Sequence, residues 1–236
     1  MYAWASKTGF YYKVTYSPNL KRLHVYNYGC NFKCSWCYYK LRPPIPDKRI
    51  PADKIIVLIG KLHRQGKVKK VNFLGGEPTI NPDLEKLVNH CKGLGLTVKV
   101  ITNGSNEMPA QIDEASVSIK LFNDELHLMH TGKPLKPVLA NIVKMYRNGV
   151  KLDISTVYIP GLNDEDIAKI AEFIASIDPK IHFHIIGYVE VPGAPWRKPT
   201  NHEVINVVEK ARKYLVKVTW SNVTAEQIKY NSIRLL

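Results

Sequence analysis

Three cysteines fall within eight residues, in Cys30-Asn-Phe-Lys-Cys34-Ser-Trp-Cys37. Thiolates at a spacing of four and then three can wrap a loop around a compact cluster. They are the usual protein ligands of iron–sulfur clusters, one to each iron. With three of them, a four-iron cluster keeps one iron without a protein ligand, and that iron can take an exogenous chelating group. The spacing therefore points to catalysis. The alternative is structural zinc, which wants four closed ligands; Cys91, His24 or His63 would supply the fourth. Cys91 lies in NHCKG on a predicted helix and reads more simply as a buried, inert thiol. Four cysteines, three of them grouped, fit a reducing compartment and not a disulfide framework.

The second element is Gly75-Gly76-Glu77-Pro78, directly after a predicted strand. Two glycines let the backbone come close to a ligand. Glu77 can accept hydrogen bonds from an ammonium group, and Pro78 ends the strand. Alone this is a tight turn with an acidic residue. One βα unit downstream of the cysteine triplet, it gains weight.

These motifs need elements to position them. Apolar runs predict strands over 23–28, 70–74, 96–101, 115–121, 151–159, 181–186 and 215–220. Helices are predicted over 52–65, 82–92 (Asn81 as N-cap, Gly93 as stop), 135–147, 164–176 and 201–214. In the fourth of these, Ile167, Ile170, Ala171 and Ile174 fall at i, i+3, i+4 and i+7. The Pro-rich stretch 41–51 reads as a linker. Strand–helix alternation argues for an α/β domain with a parallel sheet. About six βα units are fewer than a complete barrel's eight. The punctuation GGEP, TNG and PGLND follows strands, at whose carboxyl ends such folds gather their sites. On the strand 115–121, Ser116, Ser118 and Lys120 share one face, and Val117 and Ile119 the other. A polar row on a central parallel strand is unusual; a partial barrel with a polar, ligand-filled lumen explains it. The same alternation marks Asp153 and Ser155, then His182 and His184, as cofactor or substrate contacts or as hydrogen-bonded structural polar groups. Thr102 and Asn103 end the third strand.

With CNFKCSWC after the first strand and GGEP after the second, the chain resembles the radical S-adenosylmethionine superfamily over about residues 20–220. The βα succession fits that family's partial (β/α)6 barrel. The resemblance implies that Cys30, Cys34 and Cys37 hold a 4Fe–4S cluster whose fourth iron is chelated by the amino and carboxylate groups of S-adenosylmethionine. One electron then breaks the bond from sulfur to the 5′ carbon, and the 5′-deoxyadenosyl radical abstracts a substrate hydrogen. It further implies that Gly75, Gly76 and Glu77 face the methionine amino group and that Trp36 lies near the cluster and adenine. Lys120 would pair with the methionine carboxylate and Ser118 reach the ribose, with Thr102, Asn103, Ser155 and His184 as further cofactor contacts. The stretches GGEPTINPDLEKLVNHCKGLGLTVKVITNG, SIKLFNDELHLMHTGKP and YIPGLNDED look most like glycyl-radical-enzyme activases, such as the pyruvate formate-lyase type. Two positions depart from that branch: Ser118 stands where activases usually carry an acid, and Tyr38-Tyr39 where His often follows the third cysteine. The absence of further clustered cysteines argues against relatives with auxiliary clusters.

Composition sets the remaining bounds. Of 236 residues, 45% are apolar and 23% charged, which excludes wholesale disorder. The longest strongly apolar stretch, 55–59, is far short of the ~18 residues of a membrane span. The N-terminus has no apolar signal segment, so the expectation is a cytoplasmic protein. Residues 1–70 hold 15 Lys/Arg against 2 acids (+13), and the remainder 19 against 18 (+1). Such asymmetry suits an anionic partner. Three functions compete: an activase-like radical enzyme acting on a protein or small molecule; a radical enzyme modifying tRNA or rRNA, whose phosphates and bases would meet the Lys, Arg and Tyr of the first third; and a non-catalytic zinc or iron–sulfur nucleic-acid-binding module. The same basic surface could receive an acidic ferredoxin or flavodoxin. The expected organisation is a basic aromatic leader (1–22), a core (23–220) and a tail (221–236).

Overall fold

The computed structural model describes residues 8–41, 49–227 and 231–236. Seven strands run parallel, each bonded to the next: β2 (Arg22–Tyr28), β3 (Lys70–Gly75), β4 (Thr97–Thr102), β5 (Glu114–Ser118), β6 (Lys151–Tyr158), β7 (His182–Gly187) and β8 (Val218–Ser221). β1 (Phe10–Ser17) pairs antiparallel with β2, and β9 (Ile233–Arg234) with β1, giving the order β8-β7-β6-β5-β4-β3-β2-β1-β9. The helices are α1 (Ala52–Arg64), α2 (Leu84–Gly93), α3 (Asp124–Thr131), α4 (Lys136–Arg147), α5 (Asp166–Ile177) and α6 (Asn201–Arg212). The expected α/β class is borne out, and the sheet is consistent with the partial (β/α)6 barrel. No helix of the described residues is long and apolar enough to cross a membrane.

The core lies between one sheet face and the helices. Leu23, Val25, Val71, Phe73, Val98, Val100, Val117, Ile154 and Phe183 are fully buried there with Ile55, Leu87, Ile142, Ile167 and Val208 of the helices. Each such side chain contributes roughly 1.5–3 kcal/mol on burial. The opposite face carries the polar residues expected from the alternation: Ser116, Ser118, Asp153, Ser155, His182 and His184 are each half-buried.

Several elements differ from expectation. Part of the stretch read as a leader is β1, an integral strand whose Tyr11 and Val14 enter the core. Its β-bulge between Tyr11 and Lys13 breaks the period-2 pattern that would have disclosed it. In the tail, β9 pairs at Thr15–Arg234 and Tyr16–Ile233. Asn81 precedes α2 without being its N-cap, which is Asp83; the Asn81 side chain instead accepts the Asp83 amide at 3.0 Å. α3 had no counterpart in the apolar pattern because its two buried residues are polar, His127 and Thr131. The middle of the predicted linker, 42–48, lies outside the described residues.

Candidate active site

The cysteine loop leaves the carboxyl end of β2 at Gly29 and meets the turn after β3. Asn27, fully buried, joins them: its Nδ2 donates to the carbonyls of Gly29 (3.2 Å) and Glu77 (2.9 Å), and its Oδ1 accepts from Asn81 Nδ2 (2.9 Å). The Gly76 amide donates to Asn27 O, and that of Glu77 to Gly29 O. A Cβ on Gly75 would overlap the Asn27 carbonyl, and one on Gly76 that of Gly29. Both glycines are thus required by the neighbouring strand as well as by any ligand. Gly75 also has a φ of 124°, which side chains disfavour.

Glu77 is fully buried, and protein donors surround it. Its Oε1 accepts from Thr79 N (3.1 Å), Thr79 Oγ1 (2.7 Å) and Thr102 Oγ1 (2.7 Å); its Oε2 accepts from Asn103 N (2.6 Å). Burial pushes its carboxyl above the ordinary carboxylate range, and these bonds oppose the shift. Glu77 therefore clamps the turn after β3 to the end of β4.

The loop is held from the other side by α3. Thr131 O accepts the Lys33 amide (2.8 Å), Ser35 Oγ lies 3.1 Å from His130 Nδ1, and Phe32 meets the His127 ring edge-on at 5.6 Å. Trp36, buried, stands 5.5 Å from the His130 ring and 5.9 Å from Trp196, which reaches back from the segment after β7. Phe32 N lies 3.4 Å from Cys30 Sγ, and Asn103 Nδ2 3.8 Å. All three cysteines are free thiols. Burial and then the Glu77 charge push Cys30 up to about 12; burial, opposed by Lys120, pushes Cys34 up to about 11. As thiols they are neutral, so cluster ligation must displace their protons. Cys91 is buried on α2 in the main core.

Cys30, Cys34, Cys37, Trp36, Gly75, Gly76, Thr102, Asn103, Ser118 and Lys120 line one cavity of about 230 Å³. Lys120 Nζ donates to Ser118 Oγ at 2.8 Å, and among the described residues no carboxylate pairs with it. A trio of thiols beside an ammonium group that pairs with no described carboxylate fits a cluster and an anionic ligand. Three expected residues do not line this cavity. Glu77 is withdrawn behind it; Ser155 and His184 sit in register with Ser118 on β6 and β7. Sequence reasoning missed Asn27, His130 and Trp196. Asn27 carried a signal, a polar residue at a position where the β2 alternation expects an apolar one. The other two lie about 95 and 160 residues along the chain from the loop they support, with no local pattern to mark them.

A parallel α/β sheet with three cysteines lining one cavity at its carboxyl edge is an arrangement that suits an iron–sulfur enzyme. Residues 25–174 match the Radical SAM superfamily, to which this chain belongs. It is 32% identical over 210 residues to a Methanocaldococcus jannaschii protein described, without an established activity, as a glycyl-radical enzyme activating enzyme, covering 85% of this chain and 80% of that one. With the pyruvate formate-lyase-activating enzyme of Staphylococcus epidermidis it shares 27% identity, over 76% of this chain and 79% of the relative. Among solved structures, Streptococcus suis SuiB bound to S-adenosylmethionine superposes with a TM-score of 0.64 at 21% identity, over 83% of this chain and 48% of SuiB. The chain thus spans about half of SuiB. It is a radical S-adenosylmethionine enzyme, of a family that uses a 4Fe–4S cluster and S-adenosylmethionine.

Proposed function

We propose that this chain is an activase-like enzyme that takes a hydrogen atom from a substrate held on the polar sheet face, with a glycyl-radical protein as the first candidate. The observation that carries the reading is the single cavity joining three free thiols, the glycine turn and Lys120. Cys30, Cys34 and Cys37 would hold the cluster, which supplies the electron for reductive cleavage of S-adenosylmethionine to the 5′-deoxyadenosyl radical. Lys120 orients the methionine carboxylate and Ser118 the ribose. The backbone of Gly75 and Gly76 faces the methionine ammonium group, and Glu77 fixes that backbone. Trp36 shields the adenine side from water. Thr102 and Asn103 close the pocket at the end of β4, and Ser155 and His184 meet ligand farther along the polar face. The reductant is an acidic ferredoxin or flavodoxin drawn to the basic first third, and the setting is cytoplasmic.

The test is anaerobic reconstitution followed by dithionite and S-adenosylmethionine. The expected result is about four irons per chain and 5′-deoxyadenosine. Deuterated cell fractions then identify the hydrogen source: label should pass into 5′-deoxyadenosine from the protein fraction. Label passing from RNA would replace the activase reading with RNA modification, and zinc in place of iron would overturn both.

A further inference from the structure

The polar face of the sheet from β4 to β8 carries an unbroken chain of hydrogen bonds for which hydrogen-atom abstraction has no use. Lys99 Nζ donates to Asp153 Oδ2 (2.5 Å), and Asp153 Oδ1 lies 3.3 Å from His182 Nδ1. His182 Nε2 is 2.7 Å from Thr219 Oγ1, which is 2.7 Å from His184 Nδ1. His184 Nε2 ends the chain 3.1 Å from Ser221 Oγ. The order follows the sheet register, in which Asp153 pairs with His182 and His184 with Thr219.

The bonding capacities of these groups fix its polarity. Burial works against the Asp153 charge, but the hydrogen bond and charge of Lys99, with the hydrogen bond from His182, outweigh it and hold the carboxyl below its ordinary range. An ionised carboxylate only accepts, so His182 donates from Nδ1. A neutral His182 then presents a bare Nε2, which takes the Thr219 hydroxyl proton. The Thr219 oxygen accepts in turn from His184 Nδ1–H. Burial, and next the proximity of His182, lower the His184 pKa; with its proton on Nδ1 toward Thr219, its Nε2 is the acceptor that faces the Ser221 hydroxyl. Every proton faces a lone pair, from Ser221 to Asp153. The other charges at this end are Glu114, 3.9 Å from Lys99, and Lys70, 2.5 Å from Glu114.

We propose that this chain is a proton relay that makes His184 a base for a substrate carrying an ionisable O–H or N–H beside the carbon that loses its hydrogen. In the transfer the substrate O–H or N–H bond breaks and a bond to Ser221 Oγ forms, while the Ser221 proton passes to His184 Nε2. The His184 Nδ1 proton passes to Thr219 Oγ1, and the Thr219 proton to His182 Nε2. His182 ends as an imidazolium against Asp153, and no electron changes hands. His184 lies two strands from Ser118 of the cofactor cavity, roughly 10 Å at the usual strand spacing. One substrate therefore spans both. The proposal rests on the hydrogen-abstraction reading and names its substrate class.

The test has two arms. Ring-nitrogen NMR of 15N-histidine-labelled holoenzyme, with the cluster oxidised, reads the relay itself. Both histidines should carry a proton on Nδ1; Thr219→Val should move the His184 proton to Nε2, and Thr219→Ser should restore it. An Nε2-protonated His184 in the unmodified enzyme, or one indifferent to Thr219→Val, overturns the relay. The second arm uses deuterated cell extract as the hydrogen source. Thr219→Val should leave dithionite-driven cofactor cleavage without extract within twofold, slow extract-dependent turnover by ~10–100-fold, and be rescued by Thr219→Ser. Equal loss in both assays, or loss in neither, overturns the catalytic role. Absence of label transfer in the unmodified enzyme sinks the abstraction reading instead, and the NMR arm still decides the relay.

Discussion

At the scale of single residues, Glu77 and Lys120 illustrate how position divides labour between two charges in one site. All four hydrogen bonds to Glu77 come from the protein, so the carboxylate holds backbone in place. Glu77→Gln keeps the shape but turns an amide N–H₂ toward a donor. It should cost about 1–3 kcal/mol in denaturant unfolding, the price of a buried group left unpaired. Among the described residues, Lys120 hydrogen-bonds to Ser118 and pairs with no carboxylate. Lys120→Met should leave iron content unchanged and raise the KM for S-adenosylmethionine at least tenfold, measured as 5′-deoxyadenosine formation. A shared defect in iron loading would place the lysine in cluster assembly instead. The sequence marked both residues, because GGEP follows a strand and Lys120 falls on a polar row; the fold puts Lys120 in the cavity lining and buries Glu77 outside it. That Glu77 acts through backbone was not legible: its partners Thr79, Thr102 and Asn103 come from two segments brought together only by the fold.

At the scale of elements, the seven parallel strands were legible because alternating apolar residues bury one face in each. α3 was not, because the residues it buries are polar and its apolar Leu128 and Met129 are exposed. Yet α3 supports the cysteine loop through Thr131, His130 and His127. Its N-terminus is capped by Asn123, whose Oδ1 accepts the Leu126 amide at 2.9 Å. Asn123→Ala should lower stability by ~1 kcal/mol and hasten iron loss on dilution, followed by cluster absorbance. Unaltered iron retention would mean that the loop keeps its shape without the helix. β1 escaped detection for a different reason, its bulge, and Asn27 shows the converse: a polar residue on an apolar face marks a joint between two loops.

For the whole molecule, the sheet places chemistry at its carboxyl edge and charge pairs along the polar face. His24 belongs to that face, and burial, then Arg22, lower its pKa to about 4. The unfolded chain takes up this proton below about pH 6.5, whereas the folded chain does not until about pH 4. Stability should therefore fall as pH drops between those values. His24→Gln should remove ~1 kcal/mol of that loss, the full shift being discounted for a half-exposed ring; a parallel pH profile for the variant would deny His24 this role. The account as a whole depends on a trio of sulfur ligands leaving one iron open to S-adenosylmethionine. The most direct measurement is electron paramagnetic resonance of the dithionite-reduced, reconstituted protein with and without S-adenosylmethionine. The account requires a 4Fe–4S signal that changes shape when the cofactor is added. A signal indifferent to it, with every iron already capped by side chains, would contradict the central claim.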